Sequence, residues 1–280
     1  MLSDPHFDST SSLLPHDFLT IRYQLRQYTM DTTQGFPQSR QNIAGFASIN
    51  YRLSPYPSHP TSPSDPADPV RNAHHPDHLT DILDALRHLQ DTFGFGTRYL
   101  LVGHSCGATL AFQAAMMQLP SSSPPASLVT PPLALLAVEG LYDLPALISH
   151  HADSPIYQHL ITNAFGPNPS DWAAASPAIS LSLSPSPSQQ HQHQQPPGPQ
   201  LIALAHSRQD ELVEWQQVDR MHAALKRSGG WDEVGREEAG GGRLKLIELH
   251  GGHDEVWREG GGAELARAVG EVLMVVRRMV

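Results

Sequence analysis

Tyr99-Leu100-Leu101-Val102-Gly103-His104-Ser105-Cys106-Gly107-Ala108-Thr109-Leu110 is the stretch on which the reading of this chain turns. Four apolar or aromatic residues, a run short enough for a buried strand, lead into Gly103-His104-Ser105-Cys106-Gly107, and an Ala-rich helical pattern follows. A serine held on a sharp strand-to-helix turn needs glycine on both sides, because side chains there would collide with the strand and the helix. Its hydroxyl then stands above the sheet, where the backbone N–H groups of the new helix point toward it. Ser105 is therefore the candidate nucleophile, and the Cys106 backbone N–H is the candidate donor to a developing oxyanion. Cys106 itself occupies the position after the turn residue and reads as a small residue at a helix start.

A serine hydroxyl needs a base to take its proton and a carboxylate to hold that base in the right tautomer. Further apolar runs fit strands at Ala47 to Tyr51, Leu133 to Val138, Leu201 to Ala205 and Leu244 to Leu249. Helical periodicity fits His78 to Gln90, Gly107 to Gln118, Asp210 to Lys226 and Ala263 to Val280. Strands alternating with helices indicate an α/β fold with a mostly parallel sheet and helices on both faces. In such sheets functional groups collect at the carboxyl ends of the strands. Asp210 follows the fourth strand and His253 the fifth, which gives the order Ser, Asp, His. Glu211 rivals Asp210 for the acid role, and a helix N-cap is the plain alternative for Asp210. His250 rivals His253, but Gly251-Gly252 gives His253 the freedom to turn back toward Ser105. Strand, elbow and acid–base order together indicate the α/β-hydrolase fold.

Composition narrows the function. The chain has 280 residues and a formal charge of -10, without a Lys/Arg cluster that would mark a nucleic-acid or anionic-membrane surface. A small-molecule substrate is the expected partner, with a homodimer left open. The single cysteine excludes an internal disulfide and argues against a thiolate zinc site. His191 and His193 lie in a Ser/Pro/Gln tract without ligand spacing, so no metal is expected, and serine chemistry requires no cofactor. No run approaches the roughly 20 apolar residues of a membrane span, and a cytoplasmic location is the default. Ser180 to Gln200 and Gly229 to Arg243 read as low-complexity insertions within a single domain over residues 1–280.

Several runs carry a family resemblance: Ser48-Ile49-Asn50-Tyr51-Arg52-Leu53-Ser54-Pro55, His75-Pro76-Asp77-His78, Gly103 to Ala108, Glu139-Gly140-Leu141-Tyr142-Asp143, and Gly252-His253-Asp254-Glu255. Together they resemble fungal kynurenine formamidase (arylformamidase), from about residue 45 to the C-terminus. The Tyr-Arg-Leu-Ser-Pro and elbow motifs are shared with esterases of the hormone-sensitive-lipase kind, and the Glu139 to Asp143 run favours the formamidase. The resemblance implies hydrolysis of N-formyl-L-kynurenine to L-kynurenine and formate, in tryptophan degradation. It also implies a His-Gly-Gly-x-Trp motif upstream of Ala47, supplying further oxyanion donors, and this chain has none there. The stretch from Asp4 through Phe18 resembles the family's residues just downstream of that motif. The expectation is a chain that starts just after it, without the strand that would lie between Ala47–Tyr51 and Tyr99–Val102. Loss of one such donor costs about 2.7 to 4 kcal/mol of transition-state stabilisation, so a weakly active or non-catalytic chain is the alternative.

Overall fold

The computed structural model describes residues 43–116, 129–183, 198–235, 242–257 and 262–279. His191, His193, the Asp4 to Phe18 stretch and residues 184–197 and 236–241 of the two low-complexity tracts lie outside the described residues. Five strands form one sheet in the order β1-β2-β3-β5-β4. They are β1 (Leu100–His104), β2 (Ala134–Val138), β3 (Leu201–Ser207), β4 (Trp231–Glu233) and β5 (Gly242–Leu249), and every pairing is parallel. All residues of β2 and β3 are buried, as their continuous apolar runs require of strands covered on both faces.

The pleat divides these residues between two cores. Leu135, Ala137, Ile202, Leu204 and Leu244 face α2 (Cys106–Met116) and α7 (Gln216–Ser228), where they meet Ala108, Phe112, Val218, Met221 and Leu225. Ala134, Leu136, Val138, Leu201, Ala203 and Ile247 face the other way, onto Ala268 and Val272 of α8 (Gly262–Met279). Helices thus cover both faces, and full burial of each Leu or Ile contributes about 1.5–3 kcal/mol. α1 (Asp77–Phe93) lays Leu79, Ile82, Leu83 and Leu86 against Leu110. Among the described residues no helix is long and apolar enough to cross a membrane.

Four expectations need correction. Ala47 to Tyr51 is not a strand: it runs without secondary structure into the following residues and pairs with no neighbour among the described residues. Side chains hold that region instead. Arg52 grips Asp81 of α1 through Nε to Oδ2 at 2.9 Å and Nη2 to Oδ1 at 2.9 Å, and its main-chain N–H donates to the same carboxylate. The Gly229 to Arg243 tract is not wholly an insertion, since it contains β4 and opens β5. Residues 180–183, at the start of the other tract, finish a helix, α6 (Pro177–Leu183). The helix expected from Asp210 starts at Gln216, which leaves Asp210 in a loop.

Three further helices precede α6: α3 (Leu144–His150), α4 (Pro155–Phe165) and α5 (Pro169–Ala175). They form a separate apolar cluster with Leu141 and Val213, and Cys106 packs against it beside the elbow.

Candidate active site

The turn between β1 and α2 is built as its sequence requires. Ser105 has φ 55°, and its N–H donates to the Val138 carbonyl at the end of β2, 2.9 Å away. A Cβ at Gly103 would lie 2.2 Å from the Gly107 carbonyl oxygen, so no other residue fits there. Ser105 is 4% exposed, and its Oγ has no hydrogen-bond partner. The Cys106 thiol lies 3.7 Å from the Tyr51 hydroxyl, and burial pushes it up to about 12, so it stays protonated beside the serine. The unpaired segment before Arg52 thus ends by placing Tyr51 against the elbow.

His253 and Asp210 come together. His253 Nδ1 lies 2.8 Å from Asp210 Oδ2, and the Asp210 side chain is fully buried. The other carboxylate oxygen, Oδ1, accepts from the Leu212 and Val213 N–H groups at 2.9 and 2.8 Å. A carboxylate oxygen accepts, so His253 Nδ1 carries the hydrogen and Nε2 keeps its lone pair. Glu211, the rival acid, holds the same loop by its backbone: the His253 N–H donates to its Oε2 at 3.1 Å. Gly251 has φ 103°, a backbone that favours glycine, and a Cβ on Gly252 would displace the Glu211 carboxylate, whose Oε2 would lie 2.6 Å away. His250 points away, its side chain exposed and its Nδ1 3.3 Å from Glu264 of α8.

Two side chains that the sequence did not mark as site residues complete the cluster. His104 Nε2 lies 3.0 Å from the His253 carbonyl and 3.1 Å from Glu139 Oε2. Burial lowers His104 to about 3, and burial followed by the Asp210 charge raises Glu139 to about 10. The sequence signals for Glu139 were its place directly after a parallel strand and at the head of the Glu139 to Asp143 run that carries the family resemblance, neither of which gave it a role.

These shifts set a stability profile with two falling limbs. From the ordinary histidine value of 6.5 down to about 3, the unfolded chain binds a proton that folded His104 refuses, so stability falls as pH drops. His78, lowered to about 4 by burial, adds to this limb. From 4.5 up to about 10, folded Glu139 keeps a proton that the unfolded chain has released, so stability falls as pH rises. Glu139→Gln should remove the alkaline loss. Its melting temperature is expected to decline less than that of the parent between neutral pH and about pH 10, and parallel melting curves against pH would contradict this.

Two groups of described residues bring potential metal-ligand atoms within 4.8 Å of one another: His104, Glu139 and His253, and His150, His151 and Glu214. The first is the cluster just described. In the second, His151 Nε2 and Glu214 Oε2 face each other at 3.4 Å without a hydrogen bond.

No family model matches the chain. It is 38% identical over 223 residues to a kynurenine formamidase-like hydrolase of Fusarium equiseti, covering 79% of this chain and 68% of that protein. With a kynurenine formamidase of Aspergillus versicolor it shares 36% identity over 236 residues, 78% of this chain and 72% of the relative. The chain belongs to the kynurenine formamidase family. A third formamidase, from Meyerozyma guilliermondii, is 28% identical over 212 residues, 75% of this chain and 66% of its own length. Among solved structures the chain is similar to the butyrate-bound esterase Est2 of Thermogutta terrifontis, at TM-score 0.49 and 16% identity, covering 74% of this chain and 67% of that one. An acetyl ester-xyloside bifunctional hydrolase of Caldicellulosiruptor lactoaceticus gives TM-score 0.45 and 16% identity, over 72% and 68% of the two chains. A formamidase-family chain with this parallel sheet and this strand–turn–helix is a hydrolase of the α/β-hydrolase fold.

Proposed function

We propose that the protein is a serine hydrolase that cleaves N-formyl-L-kynurenine to L-kynurenine and formate in tryptophan degradation, in the cytoplasm. The observation that carries this reading is the 2.8 Å contact between His253 Nδ1 and Asp210 Oδ2 in a formamidase-family chain whose Ser105 is held at positive φ on a strand–helix turn. Ser105 Oγ attacks the formyl carbon while His253 Nε2 takes its proton. Asp210 fixes the tautomer and offsets the charge that develops on the imidazole. The Cys106 N–H donates to the oxyanion. The C–N bond breaks as His253 passes the proton to the departing aniline nitrogen, which leaves a formyl ester on Ser105. Water, deprotonated by His253, attacks that ester and releases formate, and the proton returns to Ser105 Oγ.

The test is hydrolysis of N-formyl-L-kynurenine by the purified chain, with a short-chain p-nitrophenyl ester in parallel. The formamide is expected to have the higher kcat/KM. A reversed preference would make the protein a carboxylesterase, and turnover of neither would leave a non-catalytic chain.

A further inference from the structure

Glu139 has no part in the three-residue mechanism, yet it is built into the site as firmly as the nucleophile. Among the described residues, it and Ser105 are the two non-glycine positions with positive φ, 48° and 55°. Each is locked to the neighbouring strand, Ser105 N–H to Val138 O at 2.9 Å and Glu139 N–H to Ala205 O at 2.8 Å. Holding a side chain in such backbone costs about 1–3 kcal/mol and persists where the surroundings fix it, commonly at functional sites. The Glu139 side chain is fully buried. Its Oε2 lies 3.1 Å from His104 Nε2 and 3.8 Å from His253 Nδ1, and its Oε1 has no hydrogen-bond partner. His104 Nε2 also faces the His253 carbonyl, which can only accept, so Nε2 carries the hydrogen and shares it between that carbonyl and Glu139.

We propose that Glu139 is a positioning residue for His253, anchoring the His104 N–H that holds the His253 main chain and standing as the reserve acceptor for His253 Nδ1–H behind Asp210. The inference rests on the triad reading given above.

Several groups face Glu139: His104 from the end of β1, Asp210 and Glu211 from the loop after β3, His253 and Asp254 from the base loop, and Tyr142 from its own turn. Burial and then the Asp210 charge, with Glu211 and Asp254, keep Glu139 protonated. It therefore adds no second negative charge beside Asp210. Without the Asp210 charge, one reason for keeping the proton is gone, and Glu139 ionises at lower pH. Its Oε2 then needs to close only from 3.8 Å to the 2.8 Å that Asp210 holds, about an ångström.

The experiment compares the parent chain, Glu139→Gln, Asp210→Asn and the double variant. Two quantities are read: the low-field proton NMR resonance of His253 Nδ1–H, and the pH profile of Ser105 labelling by a fluorophosphonate. Glu139→Gln keeps an acceptor for the His104 N–H but cannot ionise, so it is expected to keep the resonance and the parent's labelling rate at neutral pH, whereas Glu139→Leu, added to the series, should label about 10-fold more slowly, the scale of a modest misplacement of a reacting group. Asp210→Asn should retain a weakened resonance and recover labelling rate as pH rises. The double variant should lose both, falling at least about 10-fold below Asp210→Asn at alkaline pH. Identical resonance and identical pH profiles in Asp210→Asn and the double variant would overturn the proposal.

Should Glu139→Gln fail to fold, His104→Gln and His104→Leu carry the test. The glutamine keeps a donor for the His253 carbonyl and is expected to label near the parent rate, whereas the leucine should be slow. Equal rates in those two variants would overturn it as well. The resonance is read without turnover, so failure of the proposed formamidase activity is distinguishable from failure of this inference.

Discussion

Ser105→Ala is expected to lower kcat by about 10⁴- to 10⁶-fold, the range seen when a triad nucleophile is removed and only binding and oxyanion contacts remain. The variant should keep its fold. Alanine lacks only Oγ, an atom that is buried without a hydrogen-bond partner, so its removal leaves no polar group stranded. The turn is held by backbone contacts that do not involve the side chain, among them Ser105 N–H to Val138 O and the close approach of Gly103 to Gly107. Steady-state turnover and thermal melting of the same preparations decide the matter. Near-parental turnover in a cooperatively melting Ser105→Ala would remove the serine mechanism.

His253→Ala has a comparable kinetic effect and a different thermal one. Loss of the base is expected to reduce kcat by about 10⁴-fold or more. Unlike the serine, His253 partners a buried carboxylate: Asp210 keeps its Leu212 and Val213 donors but loses the imidazole. An orphaned acceptor of this kind costs about 1–3 kcal/mol, so the melting temperature should fall together with activity. His250→Ala serves as the control, because that side chain is exposed and faces α8. If His250→Ala were the inactive variant and His253→Ala the active one, the assignment of the base would be reversed.

The parts of the fold that were legible in the sequence were those whose residues decide their own state. β2 and the Leu201 to Ala205 part of β3 are continuous apolar runs buried on both faces, and the elbow announces itself through its glycines, of which sterics demand Gly103. Ala47 to Tyr51 has strand-like composition, but a strand is a property of a pair, and no described neighbour supplies the ladder. β4 failed in the opposite direction: three residues in a Gly-rich tract become a strand because β5 pairs with them. α3 to α6 carried a local signal that was overlooked. Pro155 and Pro169 open their helices behind Ser154 and Asn168, Pro145 follows the Asp143 cap, and Pro177 follows Ser176.

In the candidate site, the pairing of Asp210 with His253 was readable because chain order and strand ends restrict the choice. His104 and Glu139 were not, since their importance comes from the register that sets β1 beside β2 and brings the base loop over both. The reading of Glu211 as a rival acid identified a real neighbour of His253, though the contact is to the main chain.

The sheet's parallel topology has a consequence during synthesis. His104 and the His253 carbonyl that it grips are 149 positions apart, and β1, β2, β3 and β5 must all be in register before that contact exists. A ribosome adding about 5–20 residues per second completes the elbow several seconds before it supplies the base. During that interval the proposed nucleophile lacks its proposed base. On the proposed mechanism the nascent chain gains activity only when β5 docks, and gain of activity in a refolding experiment is expected to report completion of the sheet rather than formation of the elbow.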